Sequence, residues 1–310
     1  MSAGRPPALV LDSASLYYRS FHALPQSMTA PDGTPHNAVR GFLSTITRLV
    51  DAHSPARVIP AWDDDWRPRW RVDLIPSYKA HRVDDESGGE SEPESLGVQA
   101  EGIAALLASM GMPPVGRAGF EADDVIASLA EQLAGPVIVV SGDRDLVQVV
   151  SDRTRLLLTV NGGMDKWPLL EEGAVLERFG VTSERYVDLA VLRGDPSDGL
   201  PGVPGIGAKT AVALVSSFDG LEGIIDAAHK TPDVRPMTPR LAGAITQAEE
   251  IVRRARTVAT AVTDLDVLDS GEPTPDADRC AELAARWGVQ RQVDALLASI
   301  ARAKAQTADE

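Results

Sequence analysis

The chain has 310 residues, 44% hydrophobic and 24% charged, a composition of ordinary soluble globular proteins with room for one large domain or two modest ones. No apolar run reaches membrane-spanning length and the opening MSAGRPPALVLD lacks a signal-peptide core, so a cytoplasmic location without a membrane partner is expected. The single cysteine excludes an internal disulfide framework and a thiolate metal cage, and a formal net charge of −15 argues at face value against a nucleic-acid partner.

ALVLD (8–12) is a short aliphatic run ending in an aspartate. RVIPAWD (57–63), PVIVVSGD (136–143) and RLLLTV (155–160) are three more. Helical periods lie between them, in AVRGFLSTITRLVDAH (38–53), LGVQAEGIAALLASMG (96–111) and DDVIASLAEQLA (123–134). Near-continuous apolar strands alternating with helices predict an α/β fold with a mainly parallel sheet. From about 185 the chain reads as helices with Gly/Pro punctuation, including a helical period over 241–262 and one or two helices over 281–306. Cys280 is expected to be a helix-buried thiol. The stretch VDDESGGESEPES (83–95) holds six acids and no base and reads as a mobile, solvated loop.

Asp12, Asp63 and Asp143 each stand at or just past the end of a predicted strand. In open α/β sheets ligands bind outside those ends, so three separated aspartates are predicted to converge. GFEADDVIASLA (119–130) adds Glu121, Asp123 and Asp124. Acids suit the first turn of a helix, where free N–H groups and the helix dipole favour negative charge, so this stretch alone does not define a site. Asp145 in SGDRDL, and Asp195 and Asp198 in RGDPSDGLPG, complete a set of nine. Nine converging carboxylates require cations. An all-oxygen donor set without Cys or His points to two divalent ions, Mg²⁺ or Mn²⁺, a device for phosphodiester hydrolysis. These nine acids and the six in 83–95 together match the whole net charge, leaving a surface balanced enough to carry basic patches.

Two such patches stand out. WRPRWRVDLIPSYKAHR (66–82) combines Arg67, Arg69, Arg71, Lys79 and Arg82 with Trp66, Trp70 and Tyr78, which supplies charge and stacking surface for a frayed nucleic acid. LPGVPGIGAKTA (200–211) fails as a phosphate loop because Ala208 separates Gly207 from Lys209 and no strand precedes it. It fits a hairpin between helices, whose N–H groups meet a phosphate without reading bases.

The order of LDSASLYYRSFHAL, WDDDWRPRWR, SYKAHR, GFEADDVIASLA, SGDRDLVQVV and LRGDPSDGLPGVPGIGAKTA resembles the bacterial 5′ nuclease, or flap endonuclease, family, which includes the 5′-exonuclease domain of DNA polymerase I. The resemblance runs from about 8 to 300, here as a free-standing version. It implies a PIN-like α/β nuclease core over 1–184 with a helical arch region at 66–100. A helix–three-turn–helix DNA-binding element at 185–265 and C-terminal helices at 266–310 packing on the core would follow. Asp12, Asp63, Glu121 and Asp123, with Asp124 adjacent, match the first metal group; Asp143, Asp145, Asp195 and Asp198 match the second. Lys79 and Arg82 match basic residues that help position the scissile phosphate. Arg19, taken with them as catalytic, and Arg71 match basic positions expected to contact DNA, and Tyr18 and Tyr78 match aromatic positions near the active site. The hairpin residues Gly202, Val203, Gly205, Gly207, Lys209 and Thr210 are expected to bind DNA, with K⁺ held by backbone carbonyls near 202–207. Ser13 and Gly199 depart from the family pattern, where Gly and Asn are frequent, without removing a ligand.

The resemblance therefore implies a monomeric, metal-dependent 5′-3′ exonuclease and flap endonuclease. Its substrates would be 5′-flap, nicked, gapped or frayed duplex DNA, including RNA-primed DNA, in replication and repair. The rivals are a non-catalytic binder of DNA structures, a PIN-like ribonuclease, and a phosphatase. The last is disfavoured because LDSAS lacks a second aspartate two residues on.

Overall fold

Each of the four aliphatic runs forms a strand in the computed structural model, which describes residues 5–83, 93–267 and 274–308. The chain runs β1 (Ala8–Asp12), α1 (Ser13–Ala23), α2 (Asn37–His53), β2 (Arg57–Ala61), α3 (Arg69–Leu74), α4 (Glu94–Ser109), α5 (Ala122–Gln132), β3 (Val137–Ser141), β4 (Thr154–Leu158) and β5 (Leu169–Leu170). It continues through α6 (Glu172–Phe179), α7 (Tyr186–Arg193), α8 (Ala208–Ser217), α9 (Gly220–Lys230), α10 (Pro239–Ala259), α11 (Ala277–Trp287) and α12 (Gln290–Ala308).

The sheet order is β2-β1-β3-β4-β5, parallel except for the two-residue β5. In register, Asp12 lies beside Ala61, and Leu11 beside Val140, so β1, β2 and β3 end at one level. That places Asp12, Asp63 and Asp143 along one edge, as the strand-end argument predicts.

Alternation along the strands divides the core. Leu9, Leu11, Ile138, Val140 and Leu157 pack with α2, α4 and the C-terminal helices, whose Cys280, Leu283, Trp287 and Leu296 are buried there. Val10, Ile59, Val139, Leu156 and Leu158 pack on the other face against α5 and the helical half, including Leu192, Leu214, Ile224 and Val252. The sheet is thus covered on both faces. The tail predicted as one or two helices is two, because Gly288 (φ 61°) caps α11 in a left-handed conformation before α12 begins. Most of the acidic stretch 83–95, with the middle of the arch region, lies outside the described residues.

Candidate active site

Asp12 ends β1 and caps α1: its Oδ1 accepts from the N–H of Ser15 at 3.0 Å. Its Oδ2 accepts from Ser141 Oγ at 2.5 Å, and the same hydroxyl accepts from the N–H of Asp143 at 2.9 Å. Ser141 therefore links the first and third strand ends, a role the sequence reading did not give it. Asp63 accepts from the N–H of Ala122 at 2.8 Å, so β2 also serves the N-terminus of α5. Asp143 accepts from the N–H of Asp145 at 2.7 Å. Asp195 accepts from the N–H of Ser197 at 2.8 Å and pairs with Arg193, two residues away, which the sequence does not single out.

These acids feel one another. Asp12 is 6% exposed, and burial pushes its carboxyl up to about 7, with Asp63 and Asp143 raising it further against the hydrogen bonds from Ser141 and Ser15. Burial and the charges of Asp143, Asp12 and Glu121 hold Asp123 well above the usual carboxylate range. Asp145 rises for the same reason, through burial and then Asp143, Asp198 and Asp195. Asp143 opens onto the cleft, yet loss of surrounding water, then Asp198 and Asp195, raises it as well. A cation among them would relieve this repulsion, and the all-oxygen donor set suits a hard divalent ion. As the side chains stand, no three of them among the described residues close around one point tightly enough to cage an ion unaided. Four basic side chains take up acids instead: Lys79 and Arg71 meet Glu121, Arg71 also meets Asp124 at 2.7 Å, Arg82 meets Asp198 at 3.0 Å, and Arg193 meets Asp195 at 3.8 Å.

A cleft of about 490 Å³ runs beside this edge, lined by Arg82, Asp143, Asp145, Tyr186, Arg193 and Asp195. A larger groove of about 710 Å³ lies by the start of β2, near Arg57 and Ile59, and is lined by none of the nine acids. The smaller cleft is the one that meets the predicted acids.

Lys79 and Arg82 reach the acids from the segment just after α3. The N–H of Lys79 donates to Asp198 O at 2.9 Å, Ser77 Oγ donates to Gly199 O at 2.7 Å, and Arg82 donates to Ser197 O at 2.8 Å. Gly199 has φ 67°, and a Cβ there would lie 2.1 Å from Ser77 O, so this close approach requires glycine. Burial works against the charge on Lys79, but Glu121, Asp198 and Asp123 raise its pKa above the ordinary lysine value. It remains an ammonium.

Several expected residues stand elsewhere. Asp124 is fully buried and is not placed as a metal ligand. Its oxygens accept from Arg71 at 2.7 and 2.8 Å, from the N–H of Val262 at 2.9 Å and from the N–H of Glu121 at 3.2 Å. Arg71, expected on DNA, is 3% exposed and spends its guanidinium on Asp124, Glu121 and Val258 O. Tyr78 is also buried, and its hydroxyl donates to Glu121 at 2.6 Å, so it offers no stacking face to a base. Glu121 itself is shared among Lys79 at one oxygen and Arg71 and Tyr78 at the other. Arg19 does not join the acids: it donates to Val160 O at 2.6 Å and Gly162 O at 2.8 Å and lies over Trp167, holding the loop after β4. Tyr18 is exposed, beside His22.

In the hairpin, Gly202 answers to packing, because a Cβ there would lie 2.4 Å from Arg193 O. The Val203 side chain is buried in the core and its N–H donates to Leu192 O, so neither faces a ligand. Gly205 and Gly207 have open space around them, and Lys209 is exposed. Helix α8 starts at Ala208 behind Gly207 with no side-chain cap, which leaves first-turn N–H groups for an anion.

Residues 7–180 match the family described as 5′-3′ exonuclease, N-terminal resolvase-like domain, and residues 181–274 match 5′-3′ exonuclease, C-terminal SAM fold. The chain belongs to the 5′-3′ exonuclease family, and it is a nuclease, a hydrolase. A 5′-3′ exonuclease of Streptomyces coelicolor is 46% identical over 302 residues, covering 94% of this chain and 99% of that one. DNA polymerase I of Mycobacterium bovis is 37% identical over 226 residues, 72% of this chain but 24% of the polymerase. Among solved structures, the bacteriophage T5 D15 flap endonuclease, in a pseudo-enzyme-product complex with DNA and metal ions, superposes with a TM-score of 0.61. That pair is 21% identical, over 97% of this chain and all of the phage chain, which establishes a shared fold.

Proposed function

We propose that this nuclease is a structure-specific 5′ nuclease, a 5′-3′ exonuclease and 5′-flap endonuclease that hydrolyses DNA phosphodiesters with two divalent ions, Mg²⁺ or Mn²⁺. The observation that carries the reading is the crowding of Asp12, Asp123, Asp143 and Asp145 at one strand-end edge. Each carboxyl there is raised by burial and like charge that bound cations would offset. Asp12, Asp63 and Asp123 would hold one ion and Asp143, Asp145, Asp195 and Asp198 the other, with Glu121 at the seam, where it holds Lys79 beside them. When bound, such ions lower the pKa of the attacking water and stabilise the leaving oxygen.

The chain's own groups do the rest. Lys79 and Arg82 rim the acidic edge with cations suited to the scissile phosphate. The first-turn N–H groups of α8, with Lys209 and Thr210, suit the backbone of duplex DNA and read no bases. A K⁺ near 202–207 would use backbone carbonyls beside that contact. The biological setting that fits is replication and repair, including Okazaki fragment processing on RNA-primed DNA. The T5 protein's complex with DNA and metal ions supports the substrate class. The test is product mapping on labelled 5′-flap, nicked and gapped duplexes, with flap RNA as competitor. Products with 5′-phosphate ends, released near the flap junction, are expected. Equal cleavage of single strands without a duplex would overturn the structure-specific reading.

A further inference from the structure

The basic, aromatic stretch 66–82 contains a buried arginine that the DNA-binding function does not absorb. Arg71 leaves the exposed face of α3 to its neighbour Arg69 and turns inward. Its Nε donates to Val258 O at 2.9 Å, in the last turn of α10. Its two terminal nitrogens grip Asp124 at 2.7 and 2.8 Å, and one of them also meets Glu121. The Trp70 ring lies 4.5 Å from the guanidinium carbon. Asp124 closes the loop, accepting from the N–H of Val262, just past α10, and from the N–H of Glu121, at the start of α5.

This cluster is charge-balanced, two cations against two carboxylates: Arg71 and Lys79, Glu121 and Asp124. Its geometry is fixed. A guanidinium is a planar fork, so it cannot shift without breaking several bonds together. Asp124 cannot rotate, because both its oxygens are bonded from two sides. Stability alone is a weak reason to bury such a group, since apolar replacements of buried ion pairs are often neutral or better. One end of the network, however, leaves the interior. Glu121 receives Arg71 and Tyr78 on one oxygen and offers the other to Lys79, whose ammonium stands at the acidic edge.

We propose that Arg71 and Asp124 are positioning residues of the nuclease reaction: the pair ties Glu121, and through it Lys79, to the end of α10. Helix α10, which lies within the segment matched by the family's C-terminal domain, then sets where the Lys79 ammonium stands. DNA seated on the helical half and the reacting phosphate are thereby brought into one frame. The inference rests on the nuclease reading of the same site.

The experiment uses the full chain with Arg71→Lys, which keeps the charge and loses the fork, and Asp124→Asn, which keeps the shape and loses the charge. Each is made alone and combined with Lys79→Ala. Single-turnover cleavage of a labelled 5′-flap duplex at saturating DNA, the DNA Kd and the melting temperature are measured. A misplaced catalytic group of this kind costs on the order of ten- to a hundred-fold in rate, so at least a ten-fold fall is expected with Kd within about three-fold. In the Lys79→Ala background the further loss should shrink to about two-fold or less, because both changes act through one group. A rate that falls only in proportion to the unfolded fraction, or by the same factor in both backgrounds, would overturn the inference. So would a wild-type rate in Arg71→Lys. If Arg71→Lys does not fold, Asp124→Asn carries the same comparison. An unmutated chain that fails to cleave flaps would sink the nuclease reading; a cleaving chain with independent effects would sink this inference alone.

Discussion

Asp12→Asn should stabilise the metal-free protein, and by an amount that depends on pH. In the folded chain the Asp12 carboxyl is raised to about 7 from 3.8, chiefly by burial, so the folded state holds a proton that the unfolded chain releases. A carboxyl raised in this way contributes full stability below pH 3.8 and loses it as pH rises through about 7. The difference corresponds to about 4 kcal/mol, of which about 3 kcal/mol falls between about pH 5 and about pH 8. Asp123, Asp143 and Asp145 are raised too and push in the same direction. Urea unfolding in chelator at those two pH values is the assay. Wild-type stability should fall with pH, and Asp12→Asn should remove about 3 kcal/mol of that fall. Saturating Mn²⁺ should restore the wild type more at the higher pH than at the lower. An identical pH dependence in the two proteins would refute the placement of Asp12 in a crowded, desolvated site.

Other consequences are as specific. Ser141→Ala removes the hydroxyl shared by Asp12 and the N–H of Asp143, and groups that orient metal ligands are worth about 10- to 100-fold in metal affinity. The Mn²⁺ concentration for half-maximal cleavage should rise by that order, and an unchanged titration would refute the link. Gly199→Ala forces a Cβ against Ser77 O at positive φ, so it should destabilise by about 1–3 kcal/mol in urea unfolding; equal stability would contradict the local geometry. Lys209→Ala should weaken binding of any duplex sequence alike and lower the salt slope of binding by about 1, since a phosphate contact carries no base preference. A sequence-dependent loss would argue against it.

The strands were legible because burial on both faces demands continuous aliphatic runs, and β1 was readable to the residue. The two-residue β5 carries no pattern of its own and exists through its pairing with β4. The strand-end aspartates followed from topology, which is a property of the whole alternating pattern. Asp123 and Asp124 were not separable in sequence, yet successive helical residues point about 100° apart, so one faces the acids and the other the interior. The spacing of Glu121 and Asp124 suits a capping box, and the Asp124 half is formed, its carboxylate accepting from the N–H of Glu121. Arg69 and Arg71 look equivalent in a basic stretch, but two residues on a helix are on nearly opposite sides. One is exposed and the other is buried. Which arginine turns inward depends on Asp124 and Val258, which are distant in sequence, and composition holds no trace of them. Arg193 is readable as a partner, since it stands beside the acids of RGDPSD and balances one of them.

The central claim is that the acids of this edge act on DNA by holding divalent ions. The most direct measurement is cleavage of a 5′-labelled flap duplex by wild type, Asp123→Ala and Asp143→Ala across Mg²⁺ and Mn²⁺ titrations, with ion binding followed by calorimetry. The account predicts no cleavage by wild type in chelator, at least about a hundred-fold loss in each variant, and weakened ion binding in both. Cleavage by wild type without divalent metal, or wild-type-like cleavage by both variants, would contradict it.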